Sequence, residues 1–156
     1  MRIISQSASD TLKIGRSIAR NVRPGDIICL SGQLGAGKTV LTKGIAQGLG
    51  IKKDAVISPS FVLIRQHKKA SIPLYHFDLY RLQDTGDILG LGYEEYLYDQ
   101  GVAVIEWSER LKSLMPQEYL HIKLCVKTDA KRALTFAAHG ARYQALLKEI
   151  HENIRD

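Results

Sequence analysis

Gly32-Gln33-Leu34-Gly35-Ala36-Gly37-Lys38-Thr39 satisfies G-x-x-x-x-G-K-(S/T) and sits between two apolar stretches of different period. Before it, Asp26 to Ser31 holds Ile27-Ile28-Cys29-Leu30, whose β-branched content reads as a buried strand. After it, Val40 to Leu49 has helical spacing, with Gly50 as the stop. A glycine-rich turn from strand to helix lets the backbone curl around an anion, with successive N–H groups and the helix dipole directed at it. Gly32, Gln33, Leu34, Gly35, Ala36 and Gly37 are therefore expected to cradle the phosphates of ATP. Lys38 would bridge the β- and γ-phosphates, and Thr39 would supply a hydroxyl to Mg2+.

Working outward, residues 3 to 6 read as an opening strand, and Ser9-Asp10 offer caps for a helix over about 11 to 22 that ends at Pro24-Gly25. Beyond the loop, residues 61 to 66 and 72 to 77 read as a hairpin with a short basic connection. Residues 84 to 100 suit short helices and loops, and Val102 to Ile105 is a central strand. Ser108 to Met115 fits a short helix stopped by Pro116, then come strands over 119 to 127 and 133 to 138 and a helix over about 141 to 153. The expected fold is α/β: one P-loop NTPase-like domain across residues 1–156, a mixed central sheet flanked by helices.

A length of 156 residues fits one domain, and 45% apolar with 24% charged residues is ordinary for a globular fold. No stretch has the apolar length of a bilayer span, and the first residues lack a secretory pattern, so a cytoplasmic protein with no membrane partner is expected. Cys29 and Cys125 each lie in an apolar run without metal or redox spacing and read as small buried hydrophobes. Lys and Arg outnumber Asp and Glu by 22 to 16, with Lys52, Lys53, Lys68, Lys69, Lys131 and Arg132 grouped along the chain. Such a surface favours phosphates, nucleic acid or an acidic partner, or is simply a solvated face.

Nucleotide hydrolysis needs a carboxylate near the metal and a group that orients water, both at the carboxyl ends of sheet strands. Glu106 directly follows Val102-Ala103-Val104-Ile105, and Asp78 follows Tyr75-His76-Phe77. Strand alternation puts His76, Asp78 and Tyr80 on one face. Asp78 pairing with Arg81, and a structural role for His76, are the competing readings.

Gly32 to Thr39, Ser58-Pro59-Ser60-Phe61, His76-Phe77-Asp78-Leu79-Tyr80-Arg81 and Ile105-Glu106-Trp107, in this order and spacing, resemble the TsaE family of bacterial tRNA threonylcarbamoyladenosine (t6A) synthesis over roughly residues 10 to 137. The resemblance implies an ATPase that requires Mg2+, is slow unless stimulated, and acts on a complex of TsaD and TsaB, with tRNA contacted indirectly or weakly. It implies phosphate and magnesium roles for Lys38 and Thr39, a metal-side carboxylate in Glu106, and water orientation or support of the metal site for Asp78. Ser60 stands where relatives usually carry Thr, keeping the hydroxyl without the methyl. Thr11 lies near the family segment that approaches the base, and a local capping role is the alternative. Gln33 replaces a more usual acidic residue or Asn, and Trp107 reads as core or groove wall, or as a stacking surface.

The N-K-x-D pattern of GTP-specific proteins is missing its Asn at Val126-Lys127-Thr128-Asp129, which favours ATP. Two rival functions are a small-molecule P-loop kinase, which needs an arginine-bearing lid, and a non-enzymatic RNA-binding module using the basic surface.

Overall fold

A computed structural model describes residues 1–57 and 62–155. The expected contact of Ser60 and the beginning of the strand expected from Phe61 lie outside the described residues. The described chain forms β1 (Arg2–Ser5), α1 (Ala8–Ala19), β2 (Ile27–Ser31), α2 (Lys38–Gly48), β3 (Ile64–His67), β4 (Leu74–Asp78), α3 (Thr85–Gly90), α4 (Tyr93–Leu97), β5 (Val102–Glu106), β6 (Tyr119–Val126), β7 (Arg132–His139) and α5 (Ala141–Arg155). Two 3₁₀ segments, Lys53–Ala55 and Ser108–Leu114, complete it. Among the described residues no helix is long and apolar enough to cross a membrane.

The sheet is mixed, in the order β1-β7-β6-β2-β5-β4-β3. β2 runs parallel to β5 and β6, and β4 parallel to β5, while β3, β7 and β1 join antiparallel at the flanks. Because side chains alternate, each central strand serves two cores. Ile28, Leu30, Val102, Val104, Leu120 and Ile122 pack under α1, α2 and α5. Ile27, Cys29, Tyr75, Phe77, Ala103 and Ile105 pack with Ile88, Tyr93, Leu97 and Leu111 on the other face. Strands covered on both faces read as continuous apolar runs, which is why β2 and β5 stand out in the sequence.

Several boundaries differ from expectation for local reasons. α1 starts three residues earlier than expected because Ser7, not Ser9 or Asp10, is its cap: Ser7 Oγ accepts from the Asp10 N–H at 3.1 Å, and Asp10 returns a carboxylate to the Gln6 N–H at 2.9 Å. α2 begins at Lys38, inside the loop motif, rather than at Val40. β4 begins after Pro73, whose carbonyl accepts from the Val102 N–H at 2.8 Å. The helix expected over 108 to 115 is a 3₁₀ segment broken at Lys112, whose φ of 48° is left-handed.

α1 and α2 approach closely through glycines. A Cβ on Gly44 would lie 2.4 Å from the Leu12 carbonyl oxygen, and one on Gly15 would lie 2.6 Å from that of Leu41. This contact fixes the direction of α2 and hence of the loop that feeds it. Gly44→Ala should force the helices apart and cost roughly 1–3 kcal/mol, lowering Tm by about 3–10 °C in a thermal melt; an unchanged Tm would show the crossing to be loose.

Candidate nucleotide and metal site

β2 ends at Ser31, and the chain then turns through Gly32–Gly37 into α2. Gly37 has φ 100°, and a Cβ on Gly32 would stand 2.3 Å from the Leu124 carbonyl oxygen, so both positions exclude larger residues. No side chain caps α2. Its first-turn N–H groups therefore point at the loop mouth with their dipole uncompensated, an anion site by construction. The mouth opens on a cavity of about 410 Å³ lined by the loop with Lys38, Thr39, Asp78, Glu106, Tyr80 and Trp107.

Lys38 is folded back onto the loop. Its Nζ donates to the carbonyls of Gly32 and, at 3.0 Å, Gln33, and lies 4.0 Å from the centre of the Trp107 ring. Burial lowers its pKa below the ordinary lysine value, opposed by the nearby carboxylates of Glu106, Glu109 and Asp78. Trp107 takes φ 58° after β5, and Tyr80 packs on its ring at 5.0 Å.

Glu106 is buried, and its carboxylate is met from three directions. Thr39 Oγ1 donates to Oε2 at 2.9 Å, His76 Nε2 stands 2.7 Å from Oε1, and Thr42 Oγ1 lies 3.3 Å from Oε1 while its one proton is shared with the nearer Lys38 carbonyl at 2.9 Å. An ionised carboxylate only accepts, so the proton of the His76 contact sits on Nε2. Strand parity explains the meeting: residues 74, 76 and 78 of β4 and 102, 104 and 106 of β5 face α2, where Thr39 and Thr42 lie three apart on one side. Asp78 pairs in register with Glu106, is buried, and accepts from the Tyr80 N–H at 3.0 Å. Tyr80 lies beyond the end of β4, its ring tilted 47° to that of Trp107, and it lines the same cavity as Asp78.

The oxygens of Thr39 and Glu106 suit a hard dication that keeps water and takes other ligands from phosphate. Among the described residues no group of three or more His, Cys, Asp or Glu could hold a metal by itself. Thr11 is apart from this cluster: its buried Oγ1 bonds Ser5 Oγ at 2.7 Å and the Ser7 carbonyl at 3.2 Å. It also lines a cavity of about 260 Å³ behind the loop, with Gly35, Gly37, Val40, Ala130 and Arg132. A larger cleft of about 800 Å³ lies at the opposite, amino ends of the parallel strands, where Arg142 is paired with Asp26 at 2.6 Å.

Sequence reasoning did not single out Thr42 or the Lys38–Trp107 contact, and treated Arg132 only as part of a basic group. Thr42 was detectable by its three-residue offset from Thr39; nothing local signals that Arg132 reaches the Gly35 carbonyl at 3.4 Å.

Residues 5–134 match the family described as threonylcarbamoyl adenosine biosynthesis protein TsaE. The chain is 43% identical over 147 residues to the Bacillus subtilis (strain 168) tRNA threonylcarbamoyladenosine biosynthesis protein TsaE, covering 93% of this chain and 91% of that one. It is 41% identical over 137 residues to the Treponema pallidum (strain Nichols) protein of the same name, covering 88% and 100%. The crystal structure of Bacillus subtilis YdiB superposes with a TM-score of 0.85 at 36% identity, over 99% of this chain and 95% of that one.

His76→Ala should destabilise the fold by about 3 kcal/mol, since it removes a bond to a buried carboxylate and leaves a cavity. Thr42→Val should cost only about 1 kcal/mol. Denaturant melts giving the reverse order would show that Glu106 does not depend on His76.

Proposed function

This chain belongs to the TsaE family, and we propose that it is a single-domain, Mg2+-dependent P-loop ATPase of t6A synthesis, acting in the cytoplasm on a TsaD–TsaB complex. The observation that carries the reading is the convergence of an uncapped helix start, Lys38, Thr39 and two buried strand-end carboxylates on one cavity.

In this reading the N–H groups of Gly32–Gly37 and of the first turn of α2 hold the phosphates. Lys38 leaves the carbonyls of Gly32 and Gln33 and the Trp107 ring for the β- and γ-phosphates. A bound Mg2+ would supply positive charge against the charge that develops on the phosphates. Thr39 and Glu106 would hold it through the oxygens that now face one another. His76 and Thr42 keep the Glu106 carboxylate from rotating away, and Asp78, directly across from it, orients the attacking water. Thr11, with Gly35 and Arg132, walls the smaller cavity behind the loop, where the base of ATP would rest. Ser60 is assigned to the γ-phosphate side from its motif alone.

The decisive comparison is ATP binding and phosphate release with and without the TsaD–TsaB complex. Lys38→Ala should weaken ATP binding about 10- to 100-fold. Glu106→Ala should leave binding largely in place and lower turnover about a hundredfold. Wild-type turnover in the second variant would remove Glu106 from the site, and no stimulation by an authentic partner complex would contradict the proposed role.

Binding should also depend on pH in one direction. Phosphate needs the Lys38 ammonium, and burial lowers the pKa of that group in the free protein. Affinity for Mg-ATP should therefore decline on the alkaline side at a pH below the ordinary lysine value of about 10.4, as read by Trp107 fluorescence. A flat profile through that range would mean that Lys38 does not meet the phosphates.

A further inference from the structure

The basic residues grouped in the sequence separate in space. Arg132 joins the loop region, whereas Lys52, Lys68 and Lys69 meet at an open groove of about 640 Å³ between the Lys53–Ala55 turn and the β3–β4 connection. The meeting is built into the fold. Ser71 donates both its N–H and its hydroxyl to the Leu49 carbonyl, each at 3.1 Å, which pins the connection against the end of α2. Two lysines from the hairpin thus face one from the turn across a floor of Ile51, Ala55 and Ala70. The wall is the imidazole of His67, whose buried Nε2 has no hydrogen-bond partner among the described residues.

The charge around this groove is one-sided. Lys52, Lys53, Lys68 and Lys69 are all exposed, and none of the described residues lining the groove is a carboxylate. Asp54 lies in the same turn as Lys53, and Asp99 is close enough to Lys68 to interact with it. Asp99 is also engaged by the Tyr75 hydroxyl. Apart from the lysines, Gln66 and His67 carry the polar side-chain atoms of the lining, and Gln66 already donates to the Tyr96 hydroxyl at 3.1 Å. Ile51, Ala55 and Ala70 are apolar beside the ammonium groups, which matches a polymer with a phosphate at each residue and an apolar face on each base.

We propose that this groove docks the sugar–phosphate backbone of RNA, lysine rim to phosphate and apolar floor to base or ribose. The inference rests on the t6A reading, which makes tRNA the RNA in question, and it gives this chain a direct contact with the polymer, away from the nucleotide site.

The test uses the full chain with an unmodified tRNA transcript, measuring anisotropy at several salt concentrations. The variants are Lys52→Glu/Lys68→Glu/Lys69→Glu, its milder Gln counterpart, and Lys148→Glu as a basic control elsewhere. Mg-ATP binding is measured on every protein. The wild type should bind tRNA with a clear salt slope. The Glu variant should lose at least about tenfold in affinity, with the slope reduced by about two, as expected for the loss of three phosphate contacts. The Gln variant should fall between, and the control and all Mg-ATP affinities should be unchanged. Equal tRNA binding by wild type and both groove variants, or no tRNA binding by the wild type, overturns the proposal. If the groove variants instead lose only the TsaD–TsaB complex, the groove serves an acidic protein surface and the RNA assignment fails. Failure of Mg-ATP binding in the wild type would count against the ATPase reading alone, since the groove shares no residue with that site.

Discussion

The carboxylate of Glu106 holds the site together. It is buried at the end of β5, and ionised carboxylates are tolerated there only with their oxygens satisfied. Here the partners come from β4 through His76 and from α2 through Thr39 and Thr42. The same contacts therefore tie the central strands to the helix carrying the loop, and coordinate the position of an acid with that of the phosphate cradle. Placing any one of these elements wrongly would strand a charge in the core, so the fold's polar satisfaction and the geometry of the site are one constraint.

Lys38 and Trp107 give the arrangement a second feature. The ammonium is held by two loop carbonyls and an aromatic face. That keeps a buried cation solvated by protein, and each of these contacts pairs the charge with a neutral partner, where phosphate would pair it with an anion. Ligand binding on this account is an exchange of partners by one side chain over a loop already shaped by Gly32 and Gly37.

How much of this was legible in the sequence follows from the range of each interaction. The loop motif, β2 and β5 are local or continuous signals, and they mark the fold class. Glu106 and Asp78 are marked by their positions at strand ends, and parity brings His76 to the same face. The cap at Ser7 lies one turn ahead of the stronger-looking Ser9-Asp10 pair, and Pro73 shifts the start of β4, so boundaries moved where capping chemistry and proline outweighed the apolar pattern. The break at Lys112, between the buried Leu111 and the partly buried Leu114, has no local signal. Arg132 at the loop, and the meeting of Lys52 with Lys68 and Lys69, depend on contacts between distant segments that no spacing rule encodes.

The most direct measurement is a crystal structure of this chain grown with Mg2+ and a non-hydrolysable ATP analogue. The account predicts the phosphates within the curl of Gly32–Gly37, Lys38 Nζ detached from the Gly32 and Gln33 carbonyls and bonded to phosphate oxygens, and Thr39 and Glu106 turned to one metal ion. An analogue seated in the larger cleft at the other end of the sheet, with Lys38 still on the loop carbonyls, would contradict it.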